Sequence, residues 1–229
     1  MSPQQFQAPR GTSDILPNAQ PLRRLAQQRC EELAMRFGYD RIEVPTFEHA
    51  NLFIRGVGEV TDIVEKETYT FKDRGGDLIT LRPEGTAGVC RAYLEHGMHN
   101  LPQPVRLYYY MPMYRYERPQ AGRFREFWQF GVEAFGDADS AIDAEVIDLA
   151  WSSLKEFGVT DVSLLLNSIG DKESRPNYLE ALRRYFTPHL KMLSPDDQRR
   201  LETNTLRILD SKDDAIQPLL ADAPKSIDY

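Results

Sequence analysis

Two stretches decide the reading: VRLYYYMPMYRYE, Val105 to Glu117, and EFWQFGVEAF, Glu126 to Phe135. The loop between them holds Pro119 and Gly122. Two aromatic-rich runs around such a loop read as a pair of long antiparallel strands. Side chains alternate along a strand. In the second strand Phe127, Gln129, Gly131 and Glu133 share one face, and Trp128, Phe130, Val132 and Ala134 share the other. The second set is apolar and is expected to face the core. The first sets an aromatic ring, an amide and a carboxylate in a row, with a glycine that leaves room for something to lie on the sheet. In the first strand Met111, Met113, Arg115 and Glu117 share a face. A regular hairpin is expected to bring Arg115 and Glu117 opposite the region of Phe127 and Gln129. An arginine can grip phosphate, an aromatic ring can stack on a base, and a carboxylate can hold an ammonium. The face therefore suits a nucleotide beside an amino acid. It also reads as a half-exposed sheet with ordinary cross-strand ion pairs.

Working outward, the formal net charge of −7 argues against a general nucleic-acid binder. The hairpin departs from that balance. Arg106 to Arg125 holds five arginines, five tyrosines, no lysine and one acid, Glu117. This is either a local anion-recognition patch or a solvated charged hairpin. No run approaches the roughly 18 apolar residues of a membrane span. The opening MSPQQFQAPRGTSD has no apolar core to act as a signal peptide. Cys30 and Cys90 lie in segments that read as helical, which points to buried thiols in a reducing compartment. A cytoplasmic protein without membrane contact is expected.

Apolar spacing predicts a helix over residues 21–37, stopped by Gly38, and then a strand from Asp40 to Pro45. Residues 55–67 read as a polar loop. Residues 69–72 and 78–81 read as short strands around Asp73-Arg-Gly-Gly-Asp77. Helices are expected at about 84–96 and 140–157, and an apolar strand at 162–166. From Ser174 on the chain is mainly helical, with Ser194-Pro195 as a start signal. Together these give an α+β fold, an antiparallel sheet flanked by helices. Short turns between strands disfavour a doubly wound parallel sheet. His96 and His99 lack neighbouring ligands at suitable spacing, and no metal site is expected.

The run from Met113 to Glu133 resembles motif 2 of class II aminoacyl-tRNA synthetases in its histidyl form. Phe37 to Glu48 resembles motif 1, with Pro45 as its central proline, and Thr80 to Gly88 resembles the amino-acid-binding loop of histidyl enzymes. Pro9-Arg-Gly-Thr-Ser-Asp14 and Asn204 to Lys212 match the same family. The five matches run in order over nearly the whole chain. The resemblance implies a class II synthetase-like catalytic core over 1–170, with 171–229 a helical continuation of it or the start of an insertion. It implies that Arg115 grips the α-phosphate of ATP and acts as the catalytic arginine. Glu117 would orient the adenine end, Phe127 would stack on the base, and Arg123 would reach the outer phosphates. Glu84, Gly85, Thr86, Arg115, Gln129 and Glu133 would bind L-histidine. Gln120 would meet the acceptor end of tRNA-His, and Pro45 would lie at a homodimer interface. ATP with Mg2+ is the implied cofactor, and histidine–tRNA ligation the implied activity. Motif 3 and an anticodon-binding domain are not found in the 229 residues, so a truncated core of low activity is expected. Two rivals stay open: the histidyl-synthetase-like regulatory subunit of ATP phosphoribosyltransferase, and a non-catalytic dimerising fragment.

Overall fold

The computed structural model describes residues 6–57, 67–117, 122–166, 168 and 170–229. The chain divides into two compact units, residues 1–161 and 162–229. In the first, the order is α1 (Gln20–Arg36), β1 (Asp40–Arg41), β2 (Phe47–His49), α2 (Ala50–Val57), β3 (Tyr69–Lys72), β4 (Leu78–Leu81), α3 (Thr86–Glu95), β5 (Val105–Tyr114), β6 (Glu126–Phe135) and α4 (Ser140–Glu156). The helix ends follow local chemistry. Gly38 takes φ +78° just past α1, a left-handed turn that glycine enters without steric cost. The Asp139 carboxylate accepts from Ala141 N at 2.8 Å and caps α4.

The long hairpin forms as expected, with β5 and β6 paired antiparallel from Val105↔Phe135 to Tyr114↔Glu126. Two departures concern its surroundings. The sheet is mixed, because β1 joins the far side of β5 in parallel, with Asp40 opposite Leu107. The expected strand over 40–45 also stops early. Ile42 N still donates to Tyr108 O, but the Val44 carbonyl is taken by the Arg82 guanidinium at 2.6 Å. A second small sheet, ordered β2-β4-β3, is antiparallel throughout. Its β3–β4 turn is the expected hairpin, closed by Asp73 N donating to Asp77 O. The polar stretch expected to be loop from Arg55 is helical as far as Val57, and residues 58–66 lie outside those described.

Both faces of the β5–β6 hairpin are covered. Leu107, Tyr109, Met111 and Met113 pack with Val44 and with Val89 and Ala92 of α3. Tyr108 packs with Leu33 and Ala34 of α1 and Leu149 of α4, joined by Phe130 and Val132. The expectation of one apolar face and one open polar face holds only in part. Small residues at the start of α3 let that helix sit on the polar face and half-bury it. On the other face Trp128 stays 39% exposed, with the Arg23 guanidinium 4.0 Å from its ring centre.

The second unit contains α5 (Ser174–Phe186), α6 (Pro195–Thr203) and α7 (Gln217–Ala221), with short 3-10 turns between them. Its core is Leu182, Phe186, Leu201, Ile208 and Ile216. The Ser194 hydroxyl caps α6 through Asp197 N at 3.1 Å. The apolar strand expected at residues 162–166 does not form a ladder. A strand needs a neighbour for its backbone groups, and none of the described strands pairs there. Leu165 is 90% exposed. Among the described residues no helix is long and apolar enough to cross a membrane.

Candidate functional site

One end of the candidate site is where α3 begins against β6. The Glu84 carboxylate accepts from the backbone amides of Thr86, at 2.6 Å, and Ala87, at 3.0 Å. It thus caps α3 and fixes the turn that presents Thr86. The Thr86 hydroxyl donates across to Glu133 Oε1 at 2.7 Å, and the Tyr109 hydroxyl reaches the same oxygen at 3.4 Å. Gly85 and Gly131 flank the Tyr109 ring, and a Cβ on either would stand 2.3 Å from it. Burial raises Glu133 above the usual carboxylate range and the nearby Glu84 adds to this, while the Thr86 and Tyr109 hydroxyls pull it back. Four residues back along β6 on the same face, Gln129 Oε1 is buried and has no hydrogen-bond partner among the described residues.

The other end of the candidate site lies further out on the hairpin. Arg115 Nε donates to Pro83 O at 2.8 Å, and its guanidinium lies 5.1 Å from the Phe127 ring centre. Glu117 sits between two arginines, 3.8 Å from Arg115 Nη1 and 3.5 Å from Arg123 Nη1. The register differs from expectation. The ladder runs one residue past Tyr114, with Arg115 N donating to Arg125 O, so Arg115 lies opposite Arg125. Phe127 faces Met113 and Gln129 faces Met111. Arg115 therefore meets Phe127 along a diagonal. Arg125 N donates to Gly11 O at 2.7 Å, which ties the Pro9–Asp14 segment to the hairpin tip.

The structure thus brings together Glu84, Gly85, Thr86 and Glu133 at one end, and Arg115, Glu117, Arg123 and Phe127 at the other, with Gln129 between them on β6. Gln120 lies outside the described residues. Pro45 is exposed in the extended link between β1 and β2. Phe47 of β2 and Phe71 of β3 are also exposed, at 55% and 47%. Among the described residues no three of His, Cys, Asp and Glu come together as a metal site. His99 instead bonds Asn100 Nδ2 at 3.2 Å through Nε2. Cys30 is buried and Cys90 half-buried, both as free thiols.

Sequence reading missed two residues. Tyr109 was legible in principle, since alternation puts it on the face of Met111 and Arg115. Arg82 was not. The residue is 5% exposed and its guanidinium donates to Val44 O and Pro112 O, and nothing in a single sequence marks two distant carbonyls as partners.

Comparison with known proteins bears on the same residues. The family profile described as Histidyl-tRNA synthetase matches residues 11–170. A histidine–tRNA ligase of Dehalococcoides mccartyi is 55% identical over 224 residues, 98% of this chain and 54% of the relative. One of Geobacillus thermodenitrificans is 54% identical, over 98% of this chain and 53% of its own length. The chain therefore spans about half the length of these curated relatives. The crystal structure of apo S. aureus histidyl-tRNA synthetase superposes with a TM-score of 0.75 at 39% identity, covering 98% of this chain and 50% of that one. A Bacillus halodurans protein titled ATP phosphoribosyltransferase regulatory subunit/histidyl-tRNA synthetase matches at 27% identity and TM-score 0.62, over 97% of this chain and 61% of that one. With the profile spanning most of the chain, and the hairpin and α3 loop inside the matched residues, this chain belongs to the histidyl-tRNA synthetase family.

Proposed function

We propose that the chain forms the floor of the histidine and ATP site of a cytoplasmic, homodimeric histidine–tRNA ligase. The observation that carries this is one buried, unfilled acceptor with an open, unburied one on the same sheet face. Gln129 Oε1 is buried without a partner, and Glu133 takes both of its protein donors on Oε1, leaving Oε2 open among the described residues. Buried acceptors are costly unless something donates to them. The ammonium and ring N–H of L-histidine are such donors. Glu84 and Thr86 line the same corner, and Gly85 lets the Tyr109 ring pack against the loop that carries them. Arg115 is set over Phe127 where the α-phosphate would meet the amino acid, Phe127 offers its ring to adenine, and Glu117 orients the adenine end. Arg123, 60% exposed at its side chain and paired with Glu117, would reach the outer phosphates by leaving that pair.

In the proposed reaction a carboxylate oxygen of histidine attacks the α-phosphorus of ATP in line. The new P–O bond forms as the bond to pyrophosphate breaks. A hydroxyl of the terminal ribose of tRNA-His then attacks the acyl carbon and AMP leaves. Positioning and neutralisation of charge supply most of the catalysis in such transfers, and Arg115 contributes the charge. The carboxylates described at the site do not fit a protein-held Mg2+, because Glu84 caps α3 and Glu117 is held between two arginines. Magnesium would come with the nucleotide's phosphates. Gln120 is assigned to the tRNA acceptor end. The exposed apolar side chains around Pro45 support a subunit interface there.

Calorimetry of histidine and ATP binding to this chain tests the reading. Arg115→Ala is expected to weaken ATP about tenfold or more, the worth of a charge-assisted contact, and histidine less. Equal loss of both would mean that the hairpin has misfolded and Arg115 has no special role. The similarity to the Bacillus halodurans protein favours one alternative, a histidine-sensing regulatory subunit. Such a sensor needs histidine binding but not Arg115, Gln120 and Arg123 together. Histidine binding without any ATP binding would select it.

A further inference from the structure

We infer that Tyr109 is a positioning residue of the amino-acid site: wedged between Gly85 and Gly131, it locks the α3 loop to β6 and directs its hydroxyl, with that of Thr86, onto one oxygen of Glu133 so that the other faces the ligand. This rests on the reading of the site as a histidine pocket.

Tyr109 is 2% exposed, in the middle of β5, directly opposite Gly131. Its ring occupies the space that a Cβ on Gly131 would need, and also the space that a Cβ on Gly85 would need, at 2.3 Å in both cases. One side chain thus fills two glycine gaps that come from different segments, the loop before α3 and the second strand of the hairpin. Backbone cannot yield as a flexible side-chain end can, so the ring sets the spacing between these segments. The hydroxyl then reaches Glu133 Oε1 at 3.4 Å, beside Thr86 at 2.7 Å. A carboxylate has two oxygens, and here both protein donors choose the same one. The groups that face Glu133 are Glu84 from the loop, Thr86 and Cys90 from α3, and Tyr109 from β5; Tyr39 also feels its charge. None of these is a cation, so the hydroxyl donors are what offsets the upward push of burial on this carboxyl. Burial raises the Tyr109 phenol above its ordinary range, so it remains a donor at any working pH.

The test is calorimetry of L-histidine and of ATP binding to the 229-residue chain, from mildly acidic to neutral pH, with Tyr109→Phe. This variant keeps the ring and removes only the hydroxyl, so the glycine gaps stay filled. Histidine is expected to bind about three- to tenfold more weakly, the range for one hydrogen bond, with ATP unchanged. The hydroxyl lowers the Glu133 pKa, so its loss raises it, and the pH midpoint of histidine binding moves up. The ligand's own imidazole titrates alike in both proteins, so the difference between midpoints reports Glu133. A side chain that only filled space would leave the midpoint where it was. An unchanged midpoint and affinity in Tyr109→Phe would overturn the inference while leaving the histidine pocket standing. Loss of histidine and ATP in equal measure would overturn it too. If the unaltered chain binds no histidine, the pocket reading fails first and the inference with it.

Discussion

Glu145 on α4 accepts from Arg106 Nε at 2.8 Å and Nη2 at 2.9 Å, and from the Tyr39 hydroxyl at 3.0 Å. The Arg106 hydrogen bonds are the main cause that holds its carboxyl below the usual range. Both side chains are about three-quarters buried, so solvent screens the pair only in part. The sign follows from the direction. A carboxyl depressed in the folded state contributes stability above the unfolded glutamate value of about 4.3, and loses it as pH falls through the folded value. Glu145→Gln is therefore expected to cost roughly 1–2 kcal/mol at pH 7 and to approach the unaltered protein in strong acid. Denaturant unfolding at the two ends of that range checks this; an equal cost at both would show that charge is not the source. Glu133 is the opposite case, raised mainly by burial, and its ionisation weighs against the fold. The two carboxylates differ because one meets a guanidinium and the other meets only hydroxyls. Both are glutamates in unremarkable sequence contexts, and the difference is invisible without their neighbours.

At the scale of elements, Arg82 joins the two sheets. Its backbone N donates to Thr46 O, its backbone O accepts from Tyr114 N, and its side chain takes Val44 O and Pro112 O. The next residue, Pro83, offers its carbonyl to Arg115 Nε. One arginine thus spaces β4 against β5 and sets the residue that orients Arg115. Arg82→Met keeps a similar apolar stem but leaves two inward-facing carbonyls without donors. It is expected to cost roughly 2–4 kcal/mol and to lower the thermal midpoint by many degrees. A cost near zero would show that water replaces the guanidinium there. The hairpin itself was legible, because a ten-residue alternating pattern around a Pro/Gly loop has few other readings. The parallel strand β1 and the early end of its ladder were not. Both depend on β5 and Arg82, which are remote in the chain.

For the whole molecule, two cores form separately. Phe186 and Leu182 are fully buried within residues 162–229, and no sequence motif of the proposed site lies in that unit. Phe186→Ala is expected to destabilise the second unit by about 3–5 kcal/mol while leaving histidine binding in place. Limited proteolysis is expected to cut first at Ser163 to Leu166, which are exposed and unpaired, and faster in the variant. Loss of histidine binding in Phe186→Ala would show that the first unit depends on the second.

What the sequence determined by itself is the local grammar and the family. Strand alternation, capping residues, glycine stops and five ordered motifs are each contained in a short run of chain. They sufficed to place the long hairpin and the helices α1, α3 and α4. Tertiary structure alone decided the register that puts Arg115 across from Arg125, the covering of the polar face by α3, and the fate of the apolar run at 162–166. It alone set Tyr109 between two glycines. These outcomes turn on which remote surface arrives to supply a hydrogen bond or fill a gap, and that is a property of packing between segments that no single segment encodes.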